Sequence, residues 1–242
     1  MRVSLRIDDI GASTKRYEVY SNIPFCNFLF IKYLKYLRAW GPYREMGPDD
    51  WNSVFRILQD HNAKLTVAVT AAWIDKNGNH IPFPEIYPDE AKCLKSGFES
   101  GYLEIANHGL THCVVGKHLP RLFSSNRKYH REFWDWIPRD VHFEHIVISQ
   151  KILQEWLGAR VTTLVPPGNV YSEDTLEAAE KNGIERINSY INLGVKSPIK
   201  IVGNEDVMAF HDREIVLEGS GWLERKLAGL PIDTEYVFVR DL

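Results

Sequence analysis

At 242 residues, with 44% hydrophobic and 25% charged residues, the chain is long enough to bury a large core and has ordinary globular composition. Its formal net charge of -3 lacks the basic excess expected of a general nucleic-acid binder. No apolar run approaches the roughly 20 residues that span a bilayer, and Arg6, Asp8 and Asp9 break up any leader-like stretch at the start.

The first element is a strand. In residues 3–7, Val3, Leu5 and Ile7 share one face, with Ser4 and Arg6 on the other. The strand runs into Asp8 and Asp9 and then Gly11, so two like charges stand at its end. Apolar residues at three- and four-residue spacing predict a helix over 27–40. A second helix starts at Pro48, where a proline and two acids suit the free N–H groups of a first turn. KLTVAVT, residues 64–70, reads as a buried strand. Residues 75–88 are full of turn formers and read as a loop, followed by a helix from Asp89 to about Ser100.

YLEIA, residues 102–106, is a strand that ends in NHGLTH. Residues 113–139 have no clean period and read as an insertion. A helix over 140–158 stops at glycine. ARVTTLV is a strand, PPGN a loop, and a helix opens at the N-cap Ser172 and stops at Gly183. Short strands follow near 185–189, 199–202 and 207–210, and another over 235–240. Strands and helices alternate throughout, with no repeat and no dividing linker. The expectation is a single catalytic domain over 1–242 built on a parallel α/β sheet, open or closed as a barrel. Cys26, Cys93 and Cys113 are odd in number and form no CxxC, which suits free thiols in a reducing, cytoplasmic compartment.

In parallel α/β folds the chemistry lies at the C-terminal ends of the strands. Four such ends carry reactive side chains. Asp8 and Asp9 close the first strand. His108 and His112 are four residues apart, a spacing at which two imidazoles can face one cation, although two unrelated surface histidines would look the same. The missing Glu in H-G-L-T-H excludes the HExxH zinc-protease pattern. LVPPGNVYS meets a strand with a stiff loop, and VMAFHD ends a strand in His211.

Each signal is modest, but their order resembles the polysaccharide deacetylases, the NodB-homology family or carbohydrate esterase family 4. LRIDDIG, EIANHGLTH, the stretch from HFEHIVISQ through VPPGNVYSEDTLEAAEKNGI, and MAFHD carry the resemblance over about residues 2–212. Residues 12–60 and 113–139 are poorly covered. The resemblance implies a distorted (β/α) barrel holding one divalent metal. Zinc is the default, and Co2+, Fe2+ or Mn2+ would also suit such ligands. It implies Asp9, His108 and His112 as ligands, Asp8 as general base and His211 as general acid, with the loop of Pro167, Gly168, Asn169 and Tyr171 at the substrate oxyanion. The reaction would remove an N-acetyl group from a sugar, sugar nucleotide or glycan.

Two departures stand out. The family's arginine at the start of the proline segment is Val165 here, and Arg6, on the strand face of Asp8, is the candidate to orient the base. The family's Ser or Thr after the first histidine is Gly109. Within the insertion, Lys117, Arg121, Arg127, Lys128, Arg131 and Arg139 outnumber the acids, with Trp134 and Trp136 among them. That stretch reads as a solvated face, or as a lid for an anionic sugar derivative. Two other functions stay open: an amidase or deformylase acting on another acylated amine, and a non-catalytic carbohydrate-binding relative. The missing arginine favours the latter, and the presence of both Asp8 and His211 opposes it.

Overall fold

The computed structural model describes residues 1–12, 44–74, 79–113 and 131–242. The helix expected over 27–40 and the middle of the insertion, residues 114–130, lie outside the described residues, as does Cys26. In chain order the elements are β1 (Arg2–Ile10), α1 (Pro48–Asp60), β2 (Leu65–Val69), β3 (Ala72–Ile74), β4 (His80–Pro82), α2 (Phe83–Ile86), α3 (Pro88–Glu99) and β5 (Leu103–Asn107). Then come α4 (Arg139–Leu157), β6 (Thr163–Leu164), α5 (Glu173–Lys181), β7 (Arg186–Asn188), β8 (Lys200–Val202), β9 (Val207–His211), α6 (Asp212–Glu218), α7 (Gly221–Ala228) and β10 (Glu235–Val237).

The helices follow their sequence signals. In α1, Pro48 stands in the first turn, Asp50 accepts the Gly47 N–H at 2.8 Å, and Trp51, Val54, Ile57 and Leu58 form the buried stripe. Helix α4 ends where Gly158 turns left-handed at φ 71°. Ser172 caps α5 by accepting the Thr175 N–H at 3.4 Å. Elsewhere the expectations need correcting. The loop expected over 75–88 contains β4, which pairs antiparallel with β3, and the short α2. The strand expected over 159–165 is only the two residues of β6. Helices α6 and α7 fill the span after His211, where no helix was expected. Among the described residues, no helix is long and apolar enough to cross a membrane.

The main sheet is parallel, in the order β8-β7-β6-β5-β2-β1, with β10 and β9 sharing the remaining edge of β1. It curves into the half-barrel of the NodB-type distorted (β/α) barrel. Successive strand residues point to opposite faces. Leu5, Ile7, Leu65, Val67, Leu103 and Ile105 join the large core that includes Trp51, Leu58 and Leu94 of the flanking helices. The other face of β1, expected to be merely polar, is also buried: Ser4 and Arg6 are 0% and 1% exposed. With Thr66, Glu104, Thr163 and Asn188 they give the barrel a polar interior, and Ala68, Ala106 and Val165 leave room near its mouth.

Glu104 anchors the closed end of that interior. It accepts Thr66 Oγ1 at 2.7 Å, Thr163 Oγ1, and the Arg240 N–H at 3.2 Å. Burial pushes its carboxyl above the ordinary glutamate value, against the lowering effect of those hydrogen bonds. A carboxyl raised in the folded state contributes stability that is whole below its unfolded pKa and is lost as pH rises through the folded value. Glu104→Gln is therefore expected to remove part of the fall in Tm as pH rises above about 4.3. Glu104→Ala, which strands buried donors, is expected to cost about 2–3 kcal/mol in urea unfolding.

Candidate metal centre

The two acids at the end of β1 reach one site because the strand is bulged between them. Neighbours on a regular strand face opposite ways. β1 pairs with β2 as Ile7↔Val67 and then Ile10↔Val69, so β1 spends an extra residue in that interval. Asp9 takes the left-handed φ of 69° within it. The same strand holds Asp8 opposite His211 of β9.

Asp9 is 5% exposed, and its Oδ1 lies 3.2 Å from His108 Nε2 and 3.1 Å from His112 Nε2. Both histidines are 1% exposed. The three side chains offer ligand atoms within 4.8 Å of one another. Burial alone would raise the Asp9 carboxyl, but hydrogen bonds from His108 and His112 and the charges of His112 and His211 hold it well below the usual range.

The protonation pattern fits a cation. His108 Nδ1 lies 2.6 Å from the Val165 carbonyl, which can only accept, so Nδ1 carries the proton. With Nδ1 protonated, Nε2 donates to Asp9 only in the imidazolium; in the neutral ring it turns a lone pair toward the carboxylate, where a cation takes the place of the bridging proton. A positive charge between them resolves the repulsion, and the Nδ1 hydrogen bond is typical of metal-binding histidines. His112 reaches the site through a left-handed backbone of its own, φ 66°. Two imidazoles and one carboxylate, all buried and convergent, are a suitable donor set for zinc or a similar divalent ion.

Asp8 is held differently. Its Oδ2 pairs with Arg6 Nη2 at 2.7 Å, while its buried Oδ1 has no hydrogen-bond partner among the described residues. Arg6 in turn donates through Nη1 to Asn188 Oδ1 on β7. Asn188 Nδ2 donates to the Val202 carbonyl at 2.9 Å and to Asn204 Oδ1 at 3.1 Å. The guanidinium thus sits where the resemblance led one to seek a substitute for the missing arginine.

His211 is partly exposed at the rim. Its backbone N–H donates to Glu214 Oε2 at 2.8 Å, and its Nδ1 lies 3.7 Å from that oxygen. In the loop of residues 166–169, the two prolines have no N–H, and the Asn169 N–H donates to the Pro166 carbonyl at 2.8 Å. Within that loop only the Gly168 N–H has no hydrogen bond among the described residues, which narrows the expected oxyanion donors. Tyr171 donates its hydroxyl to the Ile191 carbonyl at 2.8 Å. With Trp134, Asp135, Glu173 and Asp174 it lines a cleft of about 550 Å³.

Sequence reasoning missed Asn188, Asn204, the Val165 carbonyl and the placement of Arg131. Arg131 Nη1 lies 3.0 and 2.9 Å from Nδ1 and Nε2 of His112, beside Gly168. None of these has a local motif. Each acts across a long loop closure.

The polysaccharide deacetylase family model matches residues 41–187. The chain belongs to that family. The matched stretch includes His108, His112 and the proline loop; Asp8, Asp9 and His211 join them through the fold. A family 4 acetyl xylan esterase from Clostridium thermocellum, solved in complex with a cobalt ion, is similar over 100% of this chain and 89% of its own. Its identity is 14% and its TM-score 0.51. A 4-alpha-glucanotransferase from Thermococcus litoralis is similar over 99% of this chain and 39% of its own, at 13% identity and TM-score 0.53. At these identities the likeness is one of fold. Comparison with curated proteins returns no match.

Asp9→Ala and His108→Ala are each expected to abolish stoichiometric binding of a divalent metal, read by elemental analysis of the purified protein. Asp8→Asn is expected to leave metal content unchanged.

Proposed function

We propose that this protein is a metal-dependent hydrolase that removes the N-acetyl group of a sugar or glycan precursor. Asp9, His108 and His112 would hold one divalent ion, zinc by default. The observation that carries the reading is the division of labour at the end of β1. One carboxylate converges with two imidazoles, and its neighbour keeps a buried oxygen without a hydrogen bond among the described residues.

When bound, the ion lowers the pKa of a water and polarises the acyl carbonyl. The chain supplies the rest. Asp8 Oδ1 accepts the proton of the attacking water, and Arg6 keeps that carboxylate aimed. The Gly168 N–H is the loop donor for the carbonyl oxygen as it gains charge. His211, steadied by Glu214, donates a proton to the departing nitrogen, which would otherwise leave as a poor amide anion. The C–N bond breaks, and acetate and a free amino sugar result.

The cleft beside Tyr171 suits a sugar ring against Trp134. Its described wall carries Asp135, Glu173 and Asp174, which favours a neutral or amine-bearing glycan over an anionic one. Of the basic residues behind the anionic-lid reading, Lys117, Arg121, Arg127 and Lys128 lie outside the described residues, Arg131 sits against His112, and Arg139 pairs with Asp174 and Glu177. A cytoplasmic setting, with an acetylated precursor of a surface polysaccharide as substrate, belongs to the same proposal.

The test is acetate release by the zinc- or cobalt-loaded protein from N-acetylated oligosaccharides, acetylated sugar nucleotides and an O-acetylated xylan. Release from the amides is expected, with Asp8→Asn lowering kcat at least about 100-fold. Release from the ester alone would make the protein an esterase. Release from none, with metal bound, would leave a carbohydrate-binding relative. Arg6→Ala is expected to lower kcat at least about tenfold with metal content unchanged, because Asp8 loses the contact that aims it. A parent-like kcat would remove Arg6 from this role.

A further inference from the structure

The segment between the two histidines is held from outside by one buried carboxylate. Glu132 is 0% exposed. Its Oε2 accepts the Leu110 N–H at 2.9 Å, and its Oε1 accepts the Thr111 N–H and, at 2.9 Å, the Thr111 hydroxyl. Leu110 and Thr111 are themselves 0% exposed, so no water replaces these bonds. The neighbouring N–H groups are committed too. His108 donates to the Val69 carbonyl at 2.9 Å, and Gly109 to Asn107 Oδ1 at 2.8 Å. Every backbone donor from 108 to 111 is thus fixed, and two of the four depend on Glu132.

Gly109 completes the arrangement. Its φ is +82°, and a side chain there would run into the Glu132 carboxylate and press on Pro167 Cγ. The glycine at this position makes room for the carboxylate. Burial would raise the Glu132 carboxyl, but the nearby His145, whose Nδ1 lies 3.4 Å from Oε1, and the Thr111 donors lower it. It therefore stands as a charged acceptor, the stronger kind.

We infer that Glu132 is a positioning residue for the metal centre: it holds residues 110 and 111 so that His108 and His112 turn both Nε2 atoms on Asp9, and Gly109 is the small residue that admits it. This rests on the reading of Asp9, His108 and His112 as metal ligands. Outer groups that orient ligands typically change metal affinity 10–100-fold when removed.

The experiment is titration of the metal-free full-length protein with Co2+, following the visible absorption of the bound ion, with Tm recorded separately. Glu132→Ala is expected to weaken cobalt binding about 10–100-fold and alter the spectrum, with Glu132→Asp recovering part of both. Glu132→Gln keeps the shape and one acceptor oxygen, and serves if the alanine variant fails to fold; at least about tenfold weaker binding is expected of it. Gly109→Ser is expected to harm binding in the parent and to add little in a Glu132→Ala background, a non-additivity that marks direct coupling. Parent-like affinity and spectrum in Glu132→Ala, or in Glu132→Gln where that variant is the one measured, would overturn the inference alone. A parent protein that takes up no cobalt would overturn the metal reading and this inference with it.

Discussion

The left-handed backbone at Asp9 is the constraint on which the site turns. A regular strand would send Asp8 and Asp9 to opposite faces, one into the barrel and one into the apolar layer beneath the helices. The bulge between Ile7 and Ile10 lets both carboxylates serve the mouth of the barrel. A non-glycine residue in that conformation costs on the order of 1–2 kcal/mol. It persists because β1 is paired on both sides, by β2 and by β9 and β10.

Around that bulge the sheet separates two kinds of packing. Its outer face is a conventional apolar core. Its inner face carries two sets of polar contacts, one around Glu104 at the closed end and one joining Arg6, Asp8 and Asn188 near the mouth. Arg6 spans the interior from β1 to Asn188 on β7, so a side chain links strands that share no backbone ladder. A buried guanidinium is tolerated only where partners meet it, and here one of them is the carboxylate assigned the base role. Packing of the barrel interior and orientation of Asp8 are therefore aspects of one network.

Much of this was legible in the sequence. Capping residues and apolar stripes marked α1, α4 and α5, and the residue types at the strand ends marked the side chains that converge at Asp9. The polar interior was not legible, because Ser4 and Arg6 on an alternating strand look the same whether they face water or a barrel lumen. The helices α6 and α7 follow β9 with no turn signal at their junction, since His211 ends the strand and Asp212 begins the helix. Asn188, Asn204 and Glu132 meet the site over separations that no local pattern encodes. Glu132 moreover lies in a stretch without periodicity, where a lone glutamate reads as solvated surface.

The pairing of β1 also sets an order of events during biosynthesis. The strand bearing Asp8 and Asp9 is translated before the other described strands, yet one whole edge of it is completed by β9 and β10, which begin at Val207 and Glu235. Contacts of such long sequence separation form late and slowly. The nascent chain therefore carries an unfinished acidic strand while the ribosome is still extending it, and Asp8 meets His211 only as β9 docks.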